Sequence, residues 1–154
     1  MKGWFWNSDG LKDPAKHCII HEAVKEHKLD FLVLSETGRD NFAGPFLKHL
    51  SAGFDYWWYC LPTRGRSGGI LVGFNTTTLS IQKVETGDYC VKFHVKNKQD
   101  GFLWALVAVY GAAQDAQKPD FLAELVCICY HENLPMLVGG DLLFRDMLLL
   151  KAYN

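Results

Sequence analysis

No apolar run in this sequence approaches the roughly 18 residues needed to span a bilayer. The opening MKGWFWNSDG turns polar at Asn7, too early for the apolar core of about 7–15 residues in a secretory signal. These absences point to a soluble intracellular chain, nuclear or cytoplasmic, neither secreted nor membrane-bound. Charge of one sign is missing too: 16 Lys and Arg face 17 Asp and Glu, for a formal net charge of -1. No global basic field is available to hold nucleic acid, so any such partner must be gripped weakly and by local contacts. Cys18, Cys60, Cys90, Cys127 and Cys129 are odd in number and include no C-x-x-C pair, which favours reduced thiols and argues against a zinc site. The histidines form no H-E-x-x-H pair. No repeat and no low-complexity linker divides the chain.

What is present suits a folded domain. The 154 residues are 49% hydrophobic and 21% charged, enough to bury one core but too few for two ordinary ones. KGWFWN reads as a short aromatic strand stopped by the turn formers SDG. Asp13-Pro14 then signals a helix start, and Ile20, Ala23, Val24 and His27 follow at helical spacing. LDFLVLSE is an unbroken apolar run of strand length, expected to be covered on both faces. A short helical link leads to strand-like segments from FDYWWYCL through FLWALVAVY, separated by turn residues and mostly antiparallel. PDFLAELVCICYHEN predicts a second amphipathic helix with Phe121, Leu122, Leu125, Val126 and Cys129 on its inner side. LPMLVGGD is a further buried strand. Two sheets face to face with helices outside them would bury this pattern.

Four polar side chains stand at the ends of predicted strands: Asn7, Glu36, Tyr110 and Asp141. Two carboxylates, an amide and a phenol on one rim would suit a hard cation such as magnesium, which needs few protein ligands because it keeps several waters. Phosphodiester hydrolysis is the natural chemistry of such a rim. Each residue alone also has a plainer reading: an acid after a strand as a cap, Asn7 as a turn former, Tyr110 as an aromatic strand residue. The aromatic FDYWWYC could stack bases, although burial on alternate faces of a strand explains it as well.

WNSDGL with Asn7, FLVLSETG with Glu36, RGRSGGI at residues 64–70, VAVYG with Tyr110 and LVGGD with Asp141 occur in an order that resembles the endonuclease/exonuclease/phosphatase family. Within it the chain resembles the endonuclease domain of plant LINE-type retrotransposon polyproteins. The resemblance implies an α/β fold, a four-layer α/β sandwich of the deoxyribonuclease I-like type, and a magnesium-dependent (or manganese-dependent) phosphodiesterase that nicks DNA. Carried over by position, Glu36 holds the metal and Asn7 assists at the metal or phosphate. Tyr110 contacts the scissile phosphate, and Asp141 orients or activates the attacking water. Arg64, Arg66 and Ser67 would reach the nucleic-acid backbone, as arginine matches phosphate geometry.

The pattern departs from the family in two places. The family's Asp-Phe-Asn becomes Asp141-Leu142-Leu143, and losing one hydrogen-bond donor aimed at developing charge costs about 100- to 1000-fold in rate. The family's later Ser-Asp-His motif has no counterpart before Asn154. The expectation is therefore a partial domain over residues 1–146, incomplete at its C-terminus, with a divergent tail at 147–154. Such a chain should be marginally stable and weakened or inactive as an enzyme. The alternatives are a non-catalytic DNA- or metal-binding remnant and a phosphatase acting on a small phosphorylated molecule.

Overall fold

The computed structural model describes residues 1–63, 68–112 and 115–140. The chain forms two compact units, Met1–Leu79 and Ser80–Asn154.

The first unit holds β1 (Gly3–Asn7), α1 (Pro14–His27), β2 (Phe31–Ser35), α2 (Gly44–Leu50), β3 (Tyr56–Leu61) and β4 (Ile70–Asn75). Its strands are ordered β1-β2-β4-β3. β1 and β2 run parallel, with Gly3 opposite Phe31 and Asn7 opposite Ser35. Parallel neighbours need a crossover, and α1 supplies it. The helix starts where the sequence places it: the Asp13 carboxylate accepts from the Ala15 N–H at 2.9 Å, and Pro14 occupies the first turn. It ends at Lys28, in a left-handed conformation.

All five residues of β2 are buried, as an uninterrupted apolar strand in a sheet interior should be. Ile20 and Val24 from α1, Leu50 from α2, and Leu32, Leu34 and Leu71 from the sheet form the core of this unit. Ala23 is only half-buried and His27 is exposed, so the inner stripe of α1 is narrower than its spacing suggests. Tyr56 and Trp58 pack against the core, whereas Trp57 remains 37% exposed. Alternation along β3 accounts for both.

The second unit holds β5 (Leu79–Thr86), β6 (Cys90–Asn97), β7 (Leu103–Val109), a 3-10 turn (Asp115–Gln117), α3 (Lys118–His131) and β8 (Met136–Gly140). The order is β5-β6-β7-β8. β7 and β8 are parallel, with Val109 opposite Gly140, and α3 is their crossover. Cys90, Val107, Val109, Ala112 and Phe121 are the buried centre, with Leu125, Ile128, Met136 and Val138 packed around them. The inner face of α3 is thus Phe121, Leu125 and Ile128. Leu122 and Val126, read from the sequence as inward, are 38% and 64% exposed. The stripe is rotated because Glu124, polar in sequence, takes an inner position: its carboxylate accepts backbone N–H groups. None of the five cysteines forms a disulfide. Among the described residues no helix is long and apolar enough to cross a membrane.

Where α3 meets β8, the Glu132 side chain is 5% exposed. It lies 2.9 Å from the Lys92 ammonium and 2.8 Å from Nε2 of His94, and it accepts from the Leu134 N–H at 3.0 Å. Lys92 also pairs with Glu85 at 2.8 Å. Burial alone would raise the Glu132 pKa, but the Leu134 N–H, Lys92 and His94 outweigh it and hold the carboxyl at about 2. A depressed folded-state pKa contributes stability that is present above the unfolded carboxylate pKa of about 4.3 and is lost as pH falls toward the folded value. Glu132→Gln is accordingly expected to cost about 3 kcal/mol at pH 7, the low end for breaking a buried pair, since Lys92 keeps Glu85. In urea melts the gap between the two proteins should close between pH 4.5 and pH 2. A gap that stays constant across this window would show that the carboxylate is not held ionised.

Candidate active site

Parallel pairing of β1 and β2 brings their C-terminal ends side by side. Asn7 is the last residue of β1, opposite Ser35, and Glu36 follows directly on β2. Two of the sequence-predicted site residues therefore share one end of one sheet. Glu36 has φ of 52°, a left-handed conformation that a residue with a Cβ adopts only when its surroundings enforce it.

Those surroundings come from three segments. The Ser8 hydroxyl donates to the carbonyls of Ser35 at 2.9 Å and Glu36 at 3.2 Å. The Gly10 N–H donates to the Glu36 carbonyl at 2.6 Å, and the Leu11 N–H to that of Thr37 at 3.0 Å. From the segment before β4, the Gly68 carbonyl accepts from the Gly38 N–H at 2.7 Å and from the Thr37 hydroxyl at 3.3 Å. Ser8 and Thr37 are both buried. Gly68 approaches so closely that a Cβ on it would stand 2.6 Å from the Glu36 Cα. Lys16 of α1 secures the loop that bears Ser8 and Gly10, its ammonium donating to the carbonyls of Ser8 at 2.6 Å, Asp9 at 2.9 Å and Gly10 at 3.1 Å.

Asn7 is exposed, and its side-chain oxygen accepts from the Asp9 N–H at 3.0 Å. It is the turn former that the plainer sequence reading describes, and it also sits at the strand end beside Glu36. Ser8, Thr37 and Lys16 were not singled out from the sequence. The NSDG and SETG turn chemistry signals the first two; the convergence of three carbonyls on Lys16 has no sequence signature.

In the second unit Tyr110 follows β7 and is half-buried. Its backbone N–H donates to the Tyr89 carbonyl at 3.0 Å and its phenol to the Gly87 carbonyl at 2.8 Å. Asp141, Leu143, Arg64, Arg66 and Ser67 lie outside the described residues. Among the described residues no group of three or more His, Cys, Asp or Glu side chains gathers as a metal cluster. One carboxylate beside an amide is nonetheless a donor set that suits a hard cation retaining most of its waters.

In fold the chain is similar to an endonuclease/exonuclease/phosphatase family protein from Bacteroides thetaiotaomicron, with 16% identity and a TM-score of 0.59 over 90% of this chain and 62% of that one. It is similar to the human nocturnin catalytic domain with bound sulfate, at 20% identity and a TM-score of 0.56 over 88% and 61% of the two chains. It also resembles D. rerio TDP2 complexed with a single-strand DNA product, at 13% identity and a TM-score of 0.63 over 92% and 60%. The chain thus spans less than two thirds of the length of each of these structures. No curated protein matches the sequence. The structural likenesses establish the fold, a deoxyribonuclease I-like α/β sandwich with two mixed sheets. The sequence model of the endonuclease/exonuclease/phosphatase family matches residues 4–145, and the chain belongs to that family.

Proposed function

We propose that this chain is a divalent-metal-dependent phosphodiesterase domain derived from a DNA-nicking endonuclease of the LINE retrotransposon type, with turnover lowered by Leu143. The observation that carries the reading is Glu36, forced into a left-handed backbone at the strand end beside Asn7 by hydrogen bonds from both flanking segments. Strain of this kind persists where the structure over-determines it, and it clusters at functional sites. A single carboxylate carried on a fixed backbone suits a hydrated magnesium or manganese ion, which asks few ligands of its protein.

In this reading the Glu36 carboxylate holds the cation and the Asn7 amide donates toward a phosphate oxygen. Tyr110 turns its phenolic proton from the Gly87 carbonyl, where it rests, toward charge that develops on the phosphate. Asp141 aligns the attacking water and takes its proton. The cation neutralises phosphate charge when bound. Arg64, Arg66 and Ser67 contact the DNA backbone locally, in keeping with a chain that has no global positive field. The DNA product in the TDP2 structure is consistent with this substrate class.

Nicking of a supercoiled plasmid tests the proposal. Folded wild type should nick slowly in magnesium, and both EDTA and Glu36→Ala should abolish the nicking. Nicking that persists in Glu36→Ala would overturn the assignment of the metal ligand. Leu143 favours a second reading, a DNA-binding remnant without turnover. Salt-dependent DNA binding by folded protein with no nicking at all would establish that reading in place of the first.

A further inference from the structure

Glu124 does something unusual for a helical carboxylate: it closes a loop two elements away in sequence. Its Oε2 accepts from the Asp88 N–H at 3.0 Å, and its Oε1 accepts from the N–H groups of Tyr89 and Cys90, each at 3.1 Å. The β5–β6 loop is drawn so tightly onto this carboxylate that a Cβ on Gly87 would fall 2.2 Å from Oε1. Only glycine fits there without moving Glu124. The loop is also closed on itself by the Gly87 N–H, which donates to the Cys90 carbonyl at 2.8 Å, and the Tyr89 ring packs edge-on against Phe121 of α3 at 5.9 Å between centroids.

The same short loop receives both hydrogen bonds described for Tyr110, its backbone N–H at the Tyr89 carbonyl and its phenol at the Gly87 carbonyl. Charge-assisted hydrogen bonds to backbone N–H groups are about twice as strong as neutral ones, and three of them on one carboxylate make a rigid anchor. Two of the peptide units that donate to Glu124, Gly87–Asp88 and Tyr89–Cys90, also carry the carbonyls that accept from Tyr110. Fixing one side of these units therefore fixes the other.

We infer that Glu124 is a positioning residue for Tyr110: α3 holds the Gly87–Cys90 loop through this carboxylate, and the loop holds the phenol at the end of β7. The inference rests on the role proposed above for Tyr110, and it assigns to a helix on the far side of the loop the task of aiming that phenol. A placement error of about 1 Å in a group acting on the transition state costs on the order of 100-fold. Loosening rather than removing the anchor should cost less.

The test uses the full chain with ring-13C tyrosine, the Tyr110 signal being assigned by its loss in Tyr110→Phe. In metal-free protein Glu124→Ala should move and broaden the Tyr110 signal. Glu124→Gln should move it part of the way, because an amide oxygen can replace Oε1 while its NH2 group opposes the Asp88 N–H. In plasmid nicking, Glu124→Ala should lower kcat about 10-fold with KM changed less than about twofold. A folded Glu124→Ala whose Tyr110 signal stays in place, with only a lowered melting temperature, would overturn the inference and leave Glu124 a structural staple. If Glu124→Ala does not fold, Glu124→Gln decides by the same signal. Should wild type fail to nick, the catalytic proposal falls, while the tyrosine signal still decides whether Glu124 places Tyr110.

Discussion

Replacing Gly68 with alanine is expected to weaken manganese binding by at least about 10-fold, the usual scale for disturbing what holds a metal ligand. It should also lower stability by about 1–3 kcal/mol, as overpacking does. The new Cβ would lie 2.6 Å from the Glu36 Cα, 3.0 Å from its Cβ and 3.2 Å from its carbonyl carbon. Two of these are backbone atoms, which cannot swing aside as the tip of a long side chain can. Relief must therefore come from the Glu36 backbone, whose carbonyl Gly10 and Ser8 hold, or from the Gly68 segment, which holds Thr37 and Gly38. Either shift disturbs the hydrogen bonds that fix the turn at Glu36. Gly44→Ala is the control: a Cβ there meets nothing within 4 Å, so both affinity and melting temperature should stay close to wild type. Manganese titration and a thermal melt on the same samples check both halves of the expectation. Wild-type affinity in Gly68→Ala would mean that the cation is held elsewhere.

The largest gain in rate is expected from Leu143→Asn. The family resemblance puts an amide two residues after the acid, where the sequence LVGGDLL has Leu143. A donor aimed at developing negative charge contributes about 100- to 1000-fold to kcat. Restoring it should raise magnesium-dependent plasmid nicking by about that factor, with a smaller change in DNA affinity, because the donor acts mainly on the transition state. The added nicking should vanish in Leu143→Asn combined with Glu36→Ala. A folded Leu143→Asn that nicks no faster than wild type would show that this position does not limit turnover.

Much of the fold was legible because local signals and burial agreed. The run FLVLS could be read as a two-face-covered strand because nothing polar interrupts it, and all five residues are buried. Asp13-Pro14 marked the start of α1 through capping chemistry that acts within a few residues. α3 was legible as a helix but not in its rotation. Leu122 and Val126 look inward by hydropathy, while the position facing the core edge belongs to Glu124. Hydropathy cannot register a carboxylate that turns inward to satisfy three N–H groups of a distant loop.

The site divides in the same way. Asn7 and Glu36 were visible as polar residues ending strands, and parallel pairing places them together. The left-handed backbone of Glu36 was invisible, since it results from contacts with residues 8–11 and 68–69 rather than from the SETG sequence itself. Lys16 reads as one more surface charge on an amphipathic helix, and only the folded loop brings three carbonyls to it. Tyr110 was singled out by its motif, but its attachment to the Gly87 carbonyl links residues 23 apart in sequence, beyond any local pattern.

The most direct measurement of the central claim is a manganese titration of metal-free protein, followed by the free-ion resonance signal, for wild type and Glu36→Gln. Wild type should take up the ion, and Glu36→Gln should bind it at least about 10-fold more weakly while melting as wild type does. Equal affinity in the two folded proteins would contradict the assignment of Glu36 as the carboxylate that holds the metal.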